Sequence, residues 1–301
     1  MKTLKKLRNI ALYINNHPLA GKHRLLSYWK LVQWQMRQLI SPGEKKIRFL
    51  GNTYLMVNKG MTGATGNIYM GLHEFNEMGF LLHFLRVDDV FADVGANVGS
   101  YTVLASGYCK ARTISIEPGP QAFEQLNKNV MVNHIEPLVR VMNIGAGSSK
   151  TKLLFTNSYD TVNHIVPEAE RENEEVVIEI PVMSLDEIFD GVQAPTLIKI
   201  DVEGFETEVI SGMSLLMESK DLKAIIIELN GSGWRYGYDE NEIHKKLLQN
   251  GFQPYEYNPL TRDCSLINNY GQHNTIYIRD IEYVNARLKM ANKVSLFSET
   301  F

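Results

Sequence analysis

The sequence predicts an open, mostly parallel α/β sheet that binds a nucleotide-type cofactor, and three segments support this prediction. VFADVGANVGSYT, at residues 90–102, is an apolar strand that ends in an acid and leads through a glycine-bearing turn into a helix. TISIEPGP at 113–120 and LIKIDVEGFETEVISG at 197–212 repeat the combination of an apolar strand and a polar end. Alternating strands and helices are typical of a parallel sheet.

The elements before this sheet are predicted from helix and turn signals. Helices are expected over residues 2–40, with a break near His17-Pro18 and an end at the turn residues 41–43. A hairpin at 47–57, a polar glycine-rich segment at 58–67 and a helix at 74–85 follow. These signals divide this part of the chain into a basic helical extension at 1–46 and a hairpin and helix at 47–85.

Five apolar segments predict the parallel strands, and two later segments predict the end of the sheet. The expected strands lie at 90–94, 113–117, 139–144, 197–201 and 224–229, with helices between them. Residues 252–258 and 274–278 predict a terminal antiparallel hairpin. We therefore expect a cofactor-binding domain at 86–280 and a C-terminal helix at 281–301.

The turn after the first strand has the spacing of a cofactor loop. Gly95 allows a sharp turn, and Gly99 lets the next helix pack close to the sheet, so that backbone N–H groups at the start of that helix would face a ligand. The pattern is G-x-N-x-G, whereas a dinucleotide-binding loop has G-x-G-x-x-G. This difference disfavours NAD, and an ordinary tight turn is the alternative interpretation.

Two acids at strand ends favour S-adenosylmethionine as the cofactor. Asp93 would repel a pyrophosphate but could pair with an ammonium group. Glu117 ends the next strand, where a carboxylate accepts hydrogen bonds from both ribose hydroxyls in doubly wound folds, although it could also be a solvated turn residue. The cofactor-binding candidates are Glu74, Asp93, Gly95, Ala96, Asn97, Gly99, Glu117, Asn143 and Asp201.

Several motifs together resemble one known family. DVGANVGSYT, IEP, PVMSLDEIF, IKIDVEGFETEVISG and AIIIELN occur in this order and look like the FkbM-type family of S-adenosylmethionine-dependent methyltransferases. The similarity covers about residues 66–279 and includes GLHEFNEMGFLLHFLRVDDV, which resembles the family's Glu-containing helix and supplies Glu74. The resemblance implies a Rossmann-like class I methyltransferase fold and O-methylation, often of sugars, polysaccharide precursors or polyketide hydroxyls.

The fourth strand supplies the candidate catalytic residues. Alternation along a strand places Lys199, Asp201 and Glu203 on one side, at the end where ligands bind in open α/β sheets. Asp201 is the first candidate for accepting the proton of an acceptor hydroxyl or for orienting that hydroxyl, and Glu203 lies beside it. His164 is the second candidate base. In the alternative interpretation, Lys199 and Asp201 form only a structural pair.

A metal site is a further alternative. Asp201 ends the fourth strand, and Glu228 and Asn230 end the fifth, so three oxygen ligands could converge on Mg²⁺. The resemblance to magnesium-dependent O-methyltransferases concerns position only. We therefore expect methyl transfer without a metal.

The sequence narrows the acceptor by exclusion. The slot after the fourth strand reads Asp201-Val202-Glu203-Gly204 and lacks the Asn/Asp-Pro-Pro-aromatic turn of base N-methylating enzymes. An acidic catalytic body disfavours nucleic acid, so RNA ribose 2'-O-methylation is only an alternative. We expect a hydroxyl of a sugar, glycan or other small molecule, with Trp234, Tyr236 and Tyr238 either offering flat faces to a sugar ring or packing internally. A non-catalytic cofactor-binding scaffold is the other alternative.

The charge of the chain is unevenly distributed. Residues 1–46 contain ten Lys or Arg and one acid, Glu44, for a net charge of +9, while the remaining residues contain 21 basic and 33 acidic side chains. This Trp-containing extension could contact an anionic membrane peripherally, but packing on the core or on a second subunit is favoured, so a homo-oligomer is expected.

Length and targeting signals complete the sequence picture. With 301 residues and 44% hydrophobic content, one α/β domain with appendages is expected, and two cysteines give no disulfide framework. The apolar run at 10–14 is too short for a secretory signal, which predicts a cytoplasmic protein. The acidic run at 168–175 predicts a solvated loop, with closure over the substrate as the alternative.

Overall fold

The computed structural model describes residues 2–156, 163–167, 177–271 and 273–301. The chain begins with α1 (Lys2–Asn16), α2 (Arg24–Ile40), β1 (Lys45–Arg48), β2 (Tyr54–Val57), α3 (Thr62–Met70) and α4 (Phe75–Phe84). Next come β3 (Val90–Val94), α5 (Ser100–Thr102, continued by a π-helical segment at Val103–Tyr108), β4 (Arg112–Ile116), α6 (Pro120–Val132), β5 (Val139–Met142), β6 (Gly145–Ala146), β7 (Thr151–Thr156) and β8 (Val177–Met183). The last part contains α7 (Leu185–Ile188), β9 (Leu197–Ile200), α8 (Glu206–Ser211), α9 (Ser214–Glu218), β10 (Ala224–Glu228), α10 (Glu240–Gln249), β11 (Gln253–Asn258), β12 (Asp263–Leu266), β13 (Asn274–Ile278), α11 (Ile281–Lys289), β14 (Ser295–Leu296) and β15 (Glu299–Thr300).

Eight strands form the central sheet in the order β12-β11-β13-β10-β9-β3-β4-β5. The strands β10, β9, β3, β4 and β5 are parallel, while β13 runs antiparallel to both β10 and β11. The predicted class, a mostly parallel Rossmann-like sheet closed by an antiparallel pair, is therefore confirmed. The edge strand β12 was not predicted.

The apolar residues of the central strands alternate between two cores, one on each face of the sheet. Phe91, Leu197 and Ile226 face a core with helix α4. Ala92, Ile198 and Ile225 face the core on the opposite side, with α8 and α10. Helices on both faces leave the carboxyl ends of β3, β4, β9 and β10 as the open edge, where a ligand can enter.

Three segments differ from the sequence-based expectations. The glycine-rich segment at 58–67 contains the start of α3, which continues to Met70. Between β5 and β9, the strands β6, β8 and β7 form a second, three-stranded sheet. The expected C-terminal helix at 281–301 ends at Lys289, and the rest includes the small hairpin of β14 and β15, whose end places Phe301 in the core. The acidic run at 168–175 lies outside the described residues.

The two N-terminal helices pack on α3. Ile14 of α1 shares a small buried cluster with Tyr69 and Met70 of α3. The Tyr13 hydroxyl donates a hydrogen bond of 3.3 Å to the carbonyl of His73. The extension therefore supports the segment that leads into α4. No helix within the described ranges is both long and apolar enough to cross a bilayer.

Candidate functional site

A cavity of about 310 Å³ lies at the carboxyl ends of β3, β4, β9 and β10. Helix α3 and the start of α4 form one wall, and the three-stranded sheet forms another through Phe155. The predicted site residues that line it are Glu74, Asp93, Gly95, Ala96, Asn97, Glu117, Asp201, Glu203 and Glu228. One concave site thus collects residues that are up to 154 positions apart in the chain.

The glycine loop after β3 is shaped by contacts within the protein. Gly95 has φ of +78°, and a Cβ atom there would lie 1.8 Å from the carbonyl oxygen of Asp201. Gly99 has φ of +85°, and its Cβ would lie 2.4 Å from Leu126 of α6. A side chain at either glycine would therefore collide with the neighbouring strand end or helix.

The N–H groups of the loop itself form hydrogen bonds within the protein. The N–H groups of Gly95 and Ala96 both donate to the carbonyl of Ile116, and that of Gly99 donates to the carbonyl of Ala96. The N–H of Asn97 donates to the carboxylate of Glu117 at 2.8 Å. Three of these four donors therefore bind at the end of β4, where the Asn97 N–H holds the Glu117 carboxylate.

Glu117 directly follows the carboxyl end of β4, and hydrogen bonds hold its side chain in place. Its two carboxylate oxygens accept hydrogen bonds from the N–H groups of Asn97 and Gly119, at 2.8 and 2.7 Å. Burial raises its pKa to about 7, although these two bonds favour the ionised form. Each oxygen retains a second lone pair, so the carboxylate can still accept hydrogen bonds from a diol in the cavity.

Asp93 lies deeper, at the end of β3. Its carboxylate accepts a 2.6 Å hydrogen bond from Thr102, whose hydroxyl is 2.7 Å from that of Ser115. Only 1% of Asp93 is exposed, and burial raises its pKa to about 6. The side chain therefore anchors the start of α5 as well as adding negative charge to the cavity.

Lys199 and Asp201 form a close ion pair. The Lys199 ammonium lies 2.6 Å from a carboxylate oxygen of Asp201, and the two side chains are 4% and 27% exposed. Burial alone would lower the pKa of Lys199, but the surrounding carboxylates raise it above its ordinary value. Burial likewise opposes ionisation of Asp201, and the ammonium outweighs burial and lowers the Asp201 pKa. Both groups are therefore charged.

Two further acids stand beside Asp201. Burial and the Asp201 charge raise the pKa of Glu203 to about 7 and that of Glu228 to about 9. Glu228 shares a hydrogen bond with Asp201, so it is the protonated partner at neutral pH. Glu203 has φ of +56°, in the turn that leads to α8.

The acids around Asp201 differ from the predicted metal ligands. Asp201, Glu203 and Glu228 have carboxylate oxygens that all lie within 4.8 Å of one another. The predicted third ligand, Asn230, is exposed, does not line the cavity, and accepts a hydrogen bond from the N–H of Ser232. The Lys199 ammonium already pairs with Asp201 here, so a divalent cation at these three carboxylates would compete with it.

Other predicted residues lie outside the cavity lining. His164 is buried, while its neighbours Asn163 and Ile165 line the cavity. Asn143 is exposed, and its amide donates to the carbonyls of Glu117 and Pro118. Gly99 acts through its contact with α6. None of these three residues lines the cavity itself.

The aromatic residues after β10 divide into two groups. Trp234 is 76% exposed. Tyr236 donates a 2.7 Å hydrogen bond to the carbonyl of Ile165 and packs on Phe205, and Tyr238 stacks on Tyr236. Only Trp234 therefore presents a free ring face.

Sequence reasoning predicted Glu74 in this wall but missed α3 and His73. Asn67 accepts a hydrogen bond from the N–H of His73 and donates to the hydroxyl of Ser100, which ties this wall to α5. His73 lines the cavity, and burial lowers its pKa. The available signal was the polar pair His73-Glu74 directly before an apolar helix.

The fold and this site define a methyltransferase-type α/β domain with a carboxylate-rich crevice. A sequence profile described as the methyltransferase FkbM domain matches residues 93–254. That match covers more than half of the chain, and the protein belongs to the FkbM methyltransferase family. It is a methyltransferase, and membership of the family implies binding of S-adenosylmethionine.

Two curated proteins and one solved structure are examples of what the chain is similar to. The chain is 30% identical over 185 residues to the hexuronic acid methyltransferase AglP of Haloferax volcanii, covering 61% of this chain and 71% of that protein. It is 24% identical over 148 residues to methyltransferase 1 of Beauveria bassiana, covering 42% of this chain and 59% of that protein. The solved methyltransferase FkbM of Methylobacillus flagellatus matches with a TM-score of 0.44 at 18% identity, over 72% of this chain and 52% of that one.

Proposed function

We propose that this protein transfers the methyl group of S-adenosylmethionine to a hydroxyl oxygen of a sugar or glycan. The observation that carries the proposal is a cavity whose lining includes an ionised Asp201 and a titratable Glu203 after β9, and Glu117 after β4, with β3 between these two strands. The similarity to a protein named as a hexuronic acid methyltransferase supports a sugar acceptor.

The residues of the cavity fit the cofactor. Glu117 would accept the ribose hydroxyls, while Asp93 and Glu74 would contribute negative charge toward the ammonium of the amino-acid portion. The cofactor supplies a methyl group on a positively charged sulfur. Among the described residues, the cavity lining has more carboxylates than cationic side chains even when the protonated Glu228 is left out, and this excess favours such a cation electrostatically.

Asp201 and Glu203 take different roles in the proposed reaction. Because the ammonium of Lys199 lowers its pKa, Asp201 stays ionised and is a weak base, so it accepts a hydrogen bond from the acceptor hydroxyl and orients the oxygen. Glu203, with a pKa of about 7, is matched to neutral pH and receives the proton. Lys199 positions Asp201.

A methyl-release assay over a panel of glycosides and uronosides tests the proposal. We expect turnover on at least one sugar, with a product methyl group that survives mild base, because ethers resist hydrolysis and methyl esters do not. A base-labile product would move the transfer to a carboxylate. Binding of S-adenosylhomocysteine without turnover on any sugar would favour the scaffold alternative.

A further inference from the structure

Helix α2 has a buried face and, opposite to it, an exposed face of apolar residues. The inner face contains Ser27, Trp34 and Gln38, which are buried against the rest of the protein. The outer face consists of Leu25, Trp29, Val32, Met36, Leu39 and Ile40, which are between 50% and 88% exposed. The packing that the sequence predicted for this helix therefore accounts for only one of its two faces.

The outer face is continuous along the helix. Its first five residues are separated by alternating steps of four and three positions, which places them in one stripe of an α-helix. A helix of 17 residues is roughly 25 Å long, so the stripe extends over more than four turns. Stripes of this size are uncommon on free protein surfaces and mark an interaction site.

The charged residues of α2 and of the chain that precedes it are all basic. The first acid of the chain is Glu44, so residues 1–43 contain only basic charged side chains. Arg24 and Arg37 are exposed and lie at the two edges of the stripe by the helical period. Lys22 precedes the helix and Lys46 follows it, and both are exposed as well.

We infer that the outer face of α2 docks on an anionic lipid membrane, with α2 parallel to the surface. An apolar stripe with a Trp, flanked by Lys and Arg, is the pattern of helices that lie in the headgroup region, and each cation near an anionic surface adds to binding. Pairing with a second copy of this chain through this face would bring two strongly basic stretches together, because residues 1–43 contain no acid.

The proposed docking surface is separate from the cavity lining. The inner face of α2 packs on the protein, and α1 and α2 contact the segment at α3 that forms one wall of the cavity. A membrane bound to the outer face therefore lies on the far side of α2 from this wall. The inference concerns a surface separate from the cavity and does not depend on the proposed acceptor.

Vesicle flotation of the full-length protein tests the inference. With vesicles of equal parts phosphatidylglycerol and phosphatidylcholine at about 0.1 M salt, we expect flotation that falls steeply by about 0.5 M salt, because screening shortens the range of charge attraction. Vesicles of phosphatidylcholine alone should recover much less protein. Trp29→Gln combined with Leu39→Gln should reduce binding at least about tenfold, since two apolar side chains no longer insert.

Matched controls separate docking from unspecific adhesion. Trp234→Gln combined with Leu215→Gln removes two side chains that are 76% and 69% exposed elsewhere, and this variant should float like the wild type. Arg24→Gln combined with Arg37→Gln should weaken flotation and flatten its salt dependence. Circular dichroism melts should be equal for all variants, because the altered side chains are exposed.

Three results would overturn the inference. Absence of flotation with anionic vesicles would do so, and so would flotation that the Trp29 and Leu39 changes leave unaltered. Sedimentation velocity supplies the third: a wild-type dimer that becomes a monomer in the outer-face variant, without lipid dependence, would assign the stripe to a second copy of the chain.

Discussion

The two ends of the cavity are built in different ways. The end at Glu117 is made from one continuous stretch, in which the loop at 95–99 and the turn at Gly119 hold the carboxylate by backbone hydrogen bonds. The end at Asp201 is assembled from β9, β10 and the turn before α8, and is held by side-chain charges. Local chain geometry thus makes the proposed cofactor end, and long-range electrostatics makes the proposed acceptor end.

The largest effect is expected from removing the charge of Asp201. Asp201→Asn should lower turnover by about 10² to 10⁴ while leaving affinity for S-adenosylhomocysteine unchanged, because the acceptor oxygen loses its orienting partner. The exposed Asp190→Asn is the matched control. Full activity of Asp201→Asn in a methyl-release assay would remove the carboxylate from the mechanism and would direct the search to His73 and His164.

Changing Glu203 should affect the pH dependence as well as the rate. The raised pKa of about 7 means that the carboxylate is largely protonated below that pH and cannot accept a proton. Turnover should therefore increase as the pH rises through about 7 and level off above it. Glu203→Gln should lower the plateau by about 10² and abolish this rise. An unchanged profile in the variant would assign the titration to another group.

At the Glu117 end of the cavity, the expected effect is on the affinity for the cofactor product. Glu117→Ala should weaken binding of S-adenosylhomocysteine by about 1.5–3 kcal/mol, the range for hydrogen bonds to a charged group, which corresponds to about tenfold to 150-fold. Glu124→Ala on α6, whose side chain is 71% exposed, is the control. Because Glu117 also holds Asn97 and Gly119, a thermal melt should accompany the titration. Equal affinities would contradict the assignment of Glu117.

The smallest expected effect is that of removing divalent cations. EDTA should leave turnover unchanged, because Lys199 compensates Asp201 and Glu228 holds a proton. Loss of activity that added Mg²⁺ restores would instead make Asp201, Glu203 and Glu228 metal ligands. In that case, Glu228→Gln should be nearly as damaging as Asp201→Asn.

The contrast between local chain geometry and long-range contacts also explains which elements could be predicted from the sequence. The strands and Glu117 were identified because apolar runs and a glycine-bearing turn are local patterns. The wall at α3 was not identified, because Gly63 and Gly66 lower helix propensity and tertiary contacts with α2 override it. The strands β7 and β8 were missed for a related reason: β8 (VIEIPVM) contains a proline, and its partner β7 is only half-buried.

The predicted site residues at the ends of β3, β4 and β9 line the cavity, whereas His164 and Asn230, which lie in loops, do not. Asp93, Glu117, Asp201 and Glu203 were placed in the cavity by strand-end reasoning, and the structure places them there. His164 was a candidate because of its position in a loop, yet its side chain is buried outside the lining. Asn230 follows β10 but turns toward Ser232. The direction of a side chain after a strand ends depends on local turns, which the strand period does not predict.

A structure of the complex with S-adenosylhomocysteine tests the central claim most directly, because it locates both ends of the cavity relative to one molecule. We predict ribose hydroxyls within hydrogen-bond distance of the Glu117 carboxylate and a sulfur atom that faces the space beside Asp201 and Glu203. A ribose bound elsewhere, or a sulfur directed away from Asp201 and Glu203, would contradict the division of the cavity into a cofactor end and an acceptor end.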